Sequence, residues 1–203
     1  VRHFGSSSSS PDWSTAGKRD AKGKGIVKMD PGLKRATYHF KKGTFRWARD
    51  VIPTYRWFNG QTSNLLLPDR IDPSKVVSLN QVHGRFDDPP SRIFPFKVHT
   101  CKQPYDPENR TFIIPKLFGK KGSGAYWADF DWIKASTAGM KEAGAPFSGK
   151  VDFVETEMYW PISHMIAPKE RALDCEACHS RAGRLAKLTG FYMPGRDRSV
   201  ALD

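Results

Sequence analysis

The chain has 203 residues, 38% of them hydrophobic and 12% aromatic, with 33 lysines and arginines against 21 acids for a formal net charge of +12. That length suits one sizeable domain or two small ones. No stretch approaches the roughly 18 apolar residues of a membrane span, no secretory signal is visible, and the basic residues are spread along the whole length without a nucleic-acid-binding module.

Residues 1–35 are polar and broken: a serine run at 6–10 precedes Pro11, Gly17, Gly23, Gly25, Pro31 and Gly32. They predict an irregular arm lying on the rest of an assembly. Residues 37–40 and 44–47, parted by Lys41, Lys42 and Gly43, predict a short hairpin, and residues 53–60 an extended segment turning at Asn59-Gly60. Residues 36–126 then read as loops and short strands, such as 75–79 and 111–114. A helical pattern over 127–144 uses Trp127, Phe130, Ile133, Ala138 and Met140, and two further helices are predicted at 165–178 and 180–188. The expected fold is therefore loop-rich and mainly α, with short β hairpins, and a helical segment over 127–203. No internal repeat or firm domain boundary is visible. The 13 Phe, 6 Trp and 6 Tyr, beside 15 Pro and 17 Gly, suit packing around something flat and apolar, or an aromatic core.

The most informative run is Cys175-Glu176-Ala177-Cys178-His179. Its C-x-x-C-H spacing is that of c-type haem attachment. Two thiols each add to one vinyl group of the same porphyrin, and the adjacent imidazole reaches the iron. Half of a zinc site would need a second ligand pair, and Cys101 is the only other thiol. A thiol–disulfide redox pair would open a helix after a strand, whereas residues 167–173 read as helix running into the motif.

A second axial ligand has several sources. His164 lies fifteen residues before His179. On one straight helix the two would be about 22 Å apart, whereas two nitrogens on one iron lie about 4 Å apart, twice a metal–nitrogen bond. Either Pro168 marks a fold-back or His164 serves a different haem. His99 follows Phe94, Pro95 and Phe96, which suit a porphyrin wall. Met193 is a thioether alternative in a turn-like setting, and His3, His39 and His83 read as surface or capping residues. Cys101 reads as a free, partly buried thiol. Glu155 and Glu157 are structural acids or, on a sharper reading, proton relays.

The sequence resembles the octahaem tetrathionate reductase-type cytochromes c, relatives of hydroxylamine oxidoreductase and pentahaem nitrite reductase. The matching runs are 12–17, 55–60, 71–75, 94–99, 160–170, the C-x-x-C-H run and 190–196, in order over nearly the whole chain. The resemblance implies that these residues form about the last two-fifths of such a protein and carry its final haem, one covalent haem c on Cys175 and Cys178 with His179 as proximal ligand. It also implies that His164 and His99 are axial ligands of this or neighbouring haems. In the family the segment like residues 1–17 closely follows another attachment motif, which fits a chain opening without an initiator Met. The substrate-binding haem and its lysine ligand belong to the N-terminal part, so no catalytic residue is assigned here. His83 and Cys101 depart from the family pattern.

The expected function is electron transfer within a periplasmic multihaem oxidoreductase acting on tetrathionate, nitrite or hydroxylamine-like substrates. Its partners would be the other haems and segments of the larger protein, redox proteins and, as an open possibility, further copies of the chain. The alternatives are a stand-alone electron carrier or a structural subunit of a haem assembly.

Overall fold

The computed structural model describes residues 11–48, 51–163 and 168–190. A 3-10 turn at Trp13–Thr15, capped by Asp12 accepting from the Ser14 N–H at 3.0 Å, opens the described chain. It leads into an antiparallel sheet of β1 (Val27–Asp30), β2 (Arg35–His39) and β3 (Gly43–Thr44). The expected hairpin is the β2–β3 turn, with Tyr38 opposite Thr44. Strand β1 lies within the residues read as an irregular arm.

Strands β4 (Thr54–Phe58), β5 (Thr62–Asn64), β6 (Val77–Ser78), β7 (Asn80–Val82), β8 (Arg92–Asp106), β9 (Thr111–Phe112) and β10 (Asp152–Pro161) follow. The main sheet has the order β4–β8–β10–β6, with β9 on β8, while β5 and β7 pair separately. The long pair β8 and β10 runs antiparallel from Asp152 opposite Tyr105 to Pro161 opposite Phe96.

The mainly α expectation is wrong: strand predominates over helix. The 127–144 pattern is realised as α1 (Tyr126–Asp129) and α2 (Trp132–Glu142), parted by Phe130 in the left-handed conformation. The helix expected at 165–178 is absent from its described part. Pro168, Ala172 and Asp174 are extended, with ψ of 161°, 152° and 177°, and leave only a 3-10 turn at Lys169–Arg171 and the single turn α3 (Cys175–His179). Residues 180–188 are consecutive turns, with Gly183 N–H on Ser180 O at 2.8 Å, Ala186 N–H on Gly183 O at 3.0 Å and Leu188 N–H on Leu185 O at 2.9 Å. Proline removes a helical hydrogen bond, and Gly183 weakens helix by about 1 kcal/mol relative to Ala.

Two prolines hide β8 from a pattern reading, because proline ordinarily excludes a central strand. Pro95 and Pro104 are tolerated because β8 changes neighbours along its length: β4 flanks Arg92 to Phe96, β10 flanks Phe96 to Tyr105, and β9 takes over at the end. Their carbonyls still accept, from Ile162 N–H at 3.0 Å and Ile113 N–H at 3.3 Å.

Aromatic rings supply much of the core. Phe96 is fully buried between Phe58, Phe94 and Tyr159, with centroids at 5.4, 5.6 and 6.3 Å. In a second ring cluster Tyr126 stacks on Trp132 at 3.9 Å, and Trp132 meets Trp13 and Phe153 edge-on. Burial pushes the Tyr126 phenol up to about 12. Helix α2 approaches the chain after β9 so closely that a Cβ on Gly139 would strike the backbone of Ile114, Pro115 and Lys116. Asp106, without exposed surface, accepts from Glu108 N–H, Asn109 N–H and Nδ2, and Ser148 N–H and Oγ at 2.7–3.1 Å. Burial alone would raise this carboxyl, but those donors outweigh it and hold it below its ordinary value.

Candidate haem attachment site

Helix α3 consists of the C-x-x-C-H run itself. Its N-cap, Asp174, accepts from the Ala177 N–H at 2.8 Å, which fixes the start of the turn. Positions i and i+3 of a helix lie on one face, so Cys175 and Cys178 are neighbours, followed immediately by His179. Both cysteines are free thiols, Cys175 exposed and Cys178 half-buried. After α3 the chain doubles back: Ser180 N–H donates to Glu176 O at 3.1 Å and Arg184 N–H to Ala177 O at 2.9 Å. Gly183 packs so near the Cys178 carbonyl that no side chain would fit between them.

The segment is fastened to the body at its far end. Trp57 Nε1, on β4, donates to Thr189 O at 2.8 Å. Gly190, at φ +73°, lies against the Phe86 ring so closely that a Cβ would collide with it. Leu185 is buried. A reading of motifs noticed Trp57 only as part of a matching run. Its anchoring role has no local signal, since its partner lies 132 positions away.

His99 lies on β8, opposite Met158 on β10. It is half-buried, with the half-exposed Trp160 ring 6.3 Å from its own. Burial, and then Lys97, lower its pKa and favour the neutral imidazole that binds metals. Trp57 pairs with Ile93, and strand alternation puts His99 on the same face as Ile93, about 20 Å further along β8. His99 and the Trp57 anchor therefore share one face of the sheet. Among the described residues α3 has no extensive interface with β8. The structure thus gathers Cys175, Cys178 and His179 into one turn, while His99 stands on a different element, β8. His164, the other candidate ligand, lies outside the described residues, as do His3 and Met193. The premise of one straight helix from 164 to 179 falls, because the chain is extended at Pro168, Ala172 and Asp174.

The remaining candidates have ordinary surroundings. His39 stacks on Phe40 and accepts from Lys41 N–H at 3.2 Å, and His83 Nε2 lies 2.9 Å from Ser63 Oγ. Glu157 accepts from Ser78 Oγ at 2.6 Å, and Glu155 is exposed. Cys101 is free and half-buried, its thiol raised by burial.

Comparison with known proteins decides among the chemistries open to a C-x-x-C-H turn. A family model described as bacterial cytochrome c matches residues 9–182. The chain belongs to the bacterial cytochrome c family. It is also similar to the octahaem cytochrome c from Shewanella oneidensis, known from its crystal structure, at 39% identity and a TM-score of 0.79, over 91% of this chain and 41% of that one. The chain thus spans about two-fifths of the length of that protein. No curated protein matches.

This cytochrome binds haem c covalently and is a relative of multihaem electron-transfer proteins. A bacterial c-type cytochrome is extracytoplasmic, and among the described residues no helix is long and apolar enough to cross a membrane. The α3 turn fits the group: it offers two unpaired thiols at the required spacing, an imidazole directly after them and no competing disulfide.

Proposed function

We propose that this chain is the electron-transferring, C-terminal part of a periplasmic multihaem oxidoreductase that reduces sulfur or nitrogen oxyanions. The observation that carries this reading is the capped α3 turn with two free thiols and a terminal histidine, in a chain similar over 91% of its length to part of an octahaem cytochrome. Cys175 and Cys178 would hold the porphyrin through thioethers, and His179 would be its proximal ligand. The bound group supplies one-electron chemistry at a potential set by its axial ligands and burial.

The chain's own residues position that group. Asp174 fixes the turn, Gly183 lets the following chain fold back against Cys178, and Trp57 and Phe86 tie the segment to the sheet. His99, on β8, would be an axial ligand of this haem or of a neighbouring one. His164 remains a candidate for either. No catalytic residue is assigned to this chain.

Haem content of the native protein tests the reading. Intact mass combined with a pyridine haemochrome assay gives haems per chain. Several haems on a chain much longer than 203 residues support it. One haem on a chain of 22.9 kDa overturns it in favour of a stand-alone carrier or structural subunit.

A further inference from the structure

We propose that the β1 edge and the turns beside it form a docking surface for a small acidic redox protein. The proposal rests on the electron-transfer reading above. The positive charge of the chain is unevenly distributed. Residues 11–48, fewer than one fifth of the chain, hold ten lysines and arginines against three aspartates, and so carry seven of the twelve net charges.

Those aspartates are already engaged by the backbone. Asp12 accepts from Ser14 N–H, Asp20 from the Lys22 and Lys24 N–H groups, and Asp30 from the Gly32 and Leu33 N–H groups, at 2.8–3.0 Å. Among the described residues none of the ion pairs involves residues 11–48. Lys22, Lys24, Lys28 and Lys34 are exposed on the loop before β1, on β1 and on the β1–β2 turn. Set among them are two apolar side chains facing water: Val27 is 48% exposed and Met29 55%.

An apolar centre with a charged rim is the anatomy of a protein interface. Charge of one sign steers encounter with a partner of the other sign, and redox encounters use small surfaces. The edge is not built to add a strand, because its register shifts between Lys28 and Met29 and a lysine stands on it. Recognition is therefore by charge and a small apolar contact, and the matching partner is an acidic protein.

The probe is oxidised flavodoxin, an acidic redox protein, immobilised for interferometry against the full-length haem-loaded cytochrome. Kd is expected to rise about tenfold or more between about 0.02 M and 0.3 M salt, as screening shortens the range of the charges. It should rise by a similar factor in K22E/K24E/K28E/K34E, and by less in the milder K22Q/K24Q/K28Q/K34Q. V27S/M29S should weaken binding without changing its salt dependence. All six side chains are exposed, so folding is preserved, and an unaltered haem spectrum verifies it.

Absent binding, or binding indifferent to salt and to the charge reversals, overturns the proposal. So does tighter, lysine-dependent binding to vesicles containing phosphatidylglycerol, which would make the surface a membrane contact. Protection of these four lysines from amine acylation in the full-length protein also overturns it, since another part of the chain or a second copy would then cover them. The electron-transfer reading fails separately, on the number of haems per chain, a readout that neither salt nor the charge reversals alter.

Discussion

The sheet body and the attachment segment are built on opposite plans. The body, around β8 and β10, buries Phe96, Tyr126, Val154 and Thr156 almost completely and closes its loops on Asp106. The segment from Pro168 to Gly190 has one helical turn, mostly exposed or half-buried residues and fastenings at Trp57 and Phe86. The body carries its own core, whereas the segment presents chemistry and leaves its packing to the group it binds. A protein that must expose two thiols for covalent loading has reason to keep them on a lightly packed turn.

The sharpest way to break this contrast is to remove the attachment chemistry. C175A/C178A should lose the covalent haem of this segment altogether, and His179→Ala should abolish its low-spin spectrum, while circular dichroism still reports the β body. A body that unfolds with either variant would make the two regions one unit. The next largest effect belongs to the body. Asp106→Ala leaves five donors without their acceptor and should cost about 3 kcal/mol or more in denaturant unfolding, with haem content per folded chain unchanged. Gly139→Ala forces a Cβ into the backbone after β9 and should cost about 1–3 kcal/mol.

Acid should also separate the regions. The Asp106 carboxyl has a folded pKa below its unfolded value of about 3.9. Its contribution is fully present above the unfolded value and is lost as pH falls through the folded one. Unfolding midpoints of the wild type should therefore decline below about pH 4, and the decline should be shallower in D106N. Parallel pH profiles would remove Asp106 from the account. The smallest effect is expected from Trp57→Phe, which deletes the bond to Thr189 at about 1 kcal/mol. Hydrogen exchange should quicken in residues 183–190 and leave β8 and β10 unchanged.

What could be read from the sequence follows the same division. The attachment chemistry is local, so Cys175, Cys178 and His179 announce themselves by spacing. The body is not local. Strand β10 has Val154 and Thr156 buried toward one side and packs Phe153 on Trp132 on the other, so no clean alternation marks it. Pro95 and Pro104 disguise β8, because only the change of neighbouring strands makes them harmless. A helical reading of 165–178 gives too little weight to Pro168 and to the capping preference of Asp174. His99 is legible as a histidine beside aromatics, but its place opposite Met158 depends on strand register. The Trp57–Thr189 fastening spans most of the chain.

The central claim is covalent haem on the α3 turn. Mass analysis of the proteolytic peptide containing Cys175 and Cys178, from protein matured in a host competent for cytochrome c assembly, tests it most directly. One haem added per peptide, with both thiols consumed, is the expected result. Unmodified thiols, a disulfide between them or a bound zinc ion in protein from that host would contradict it.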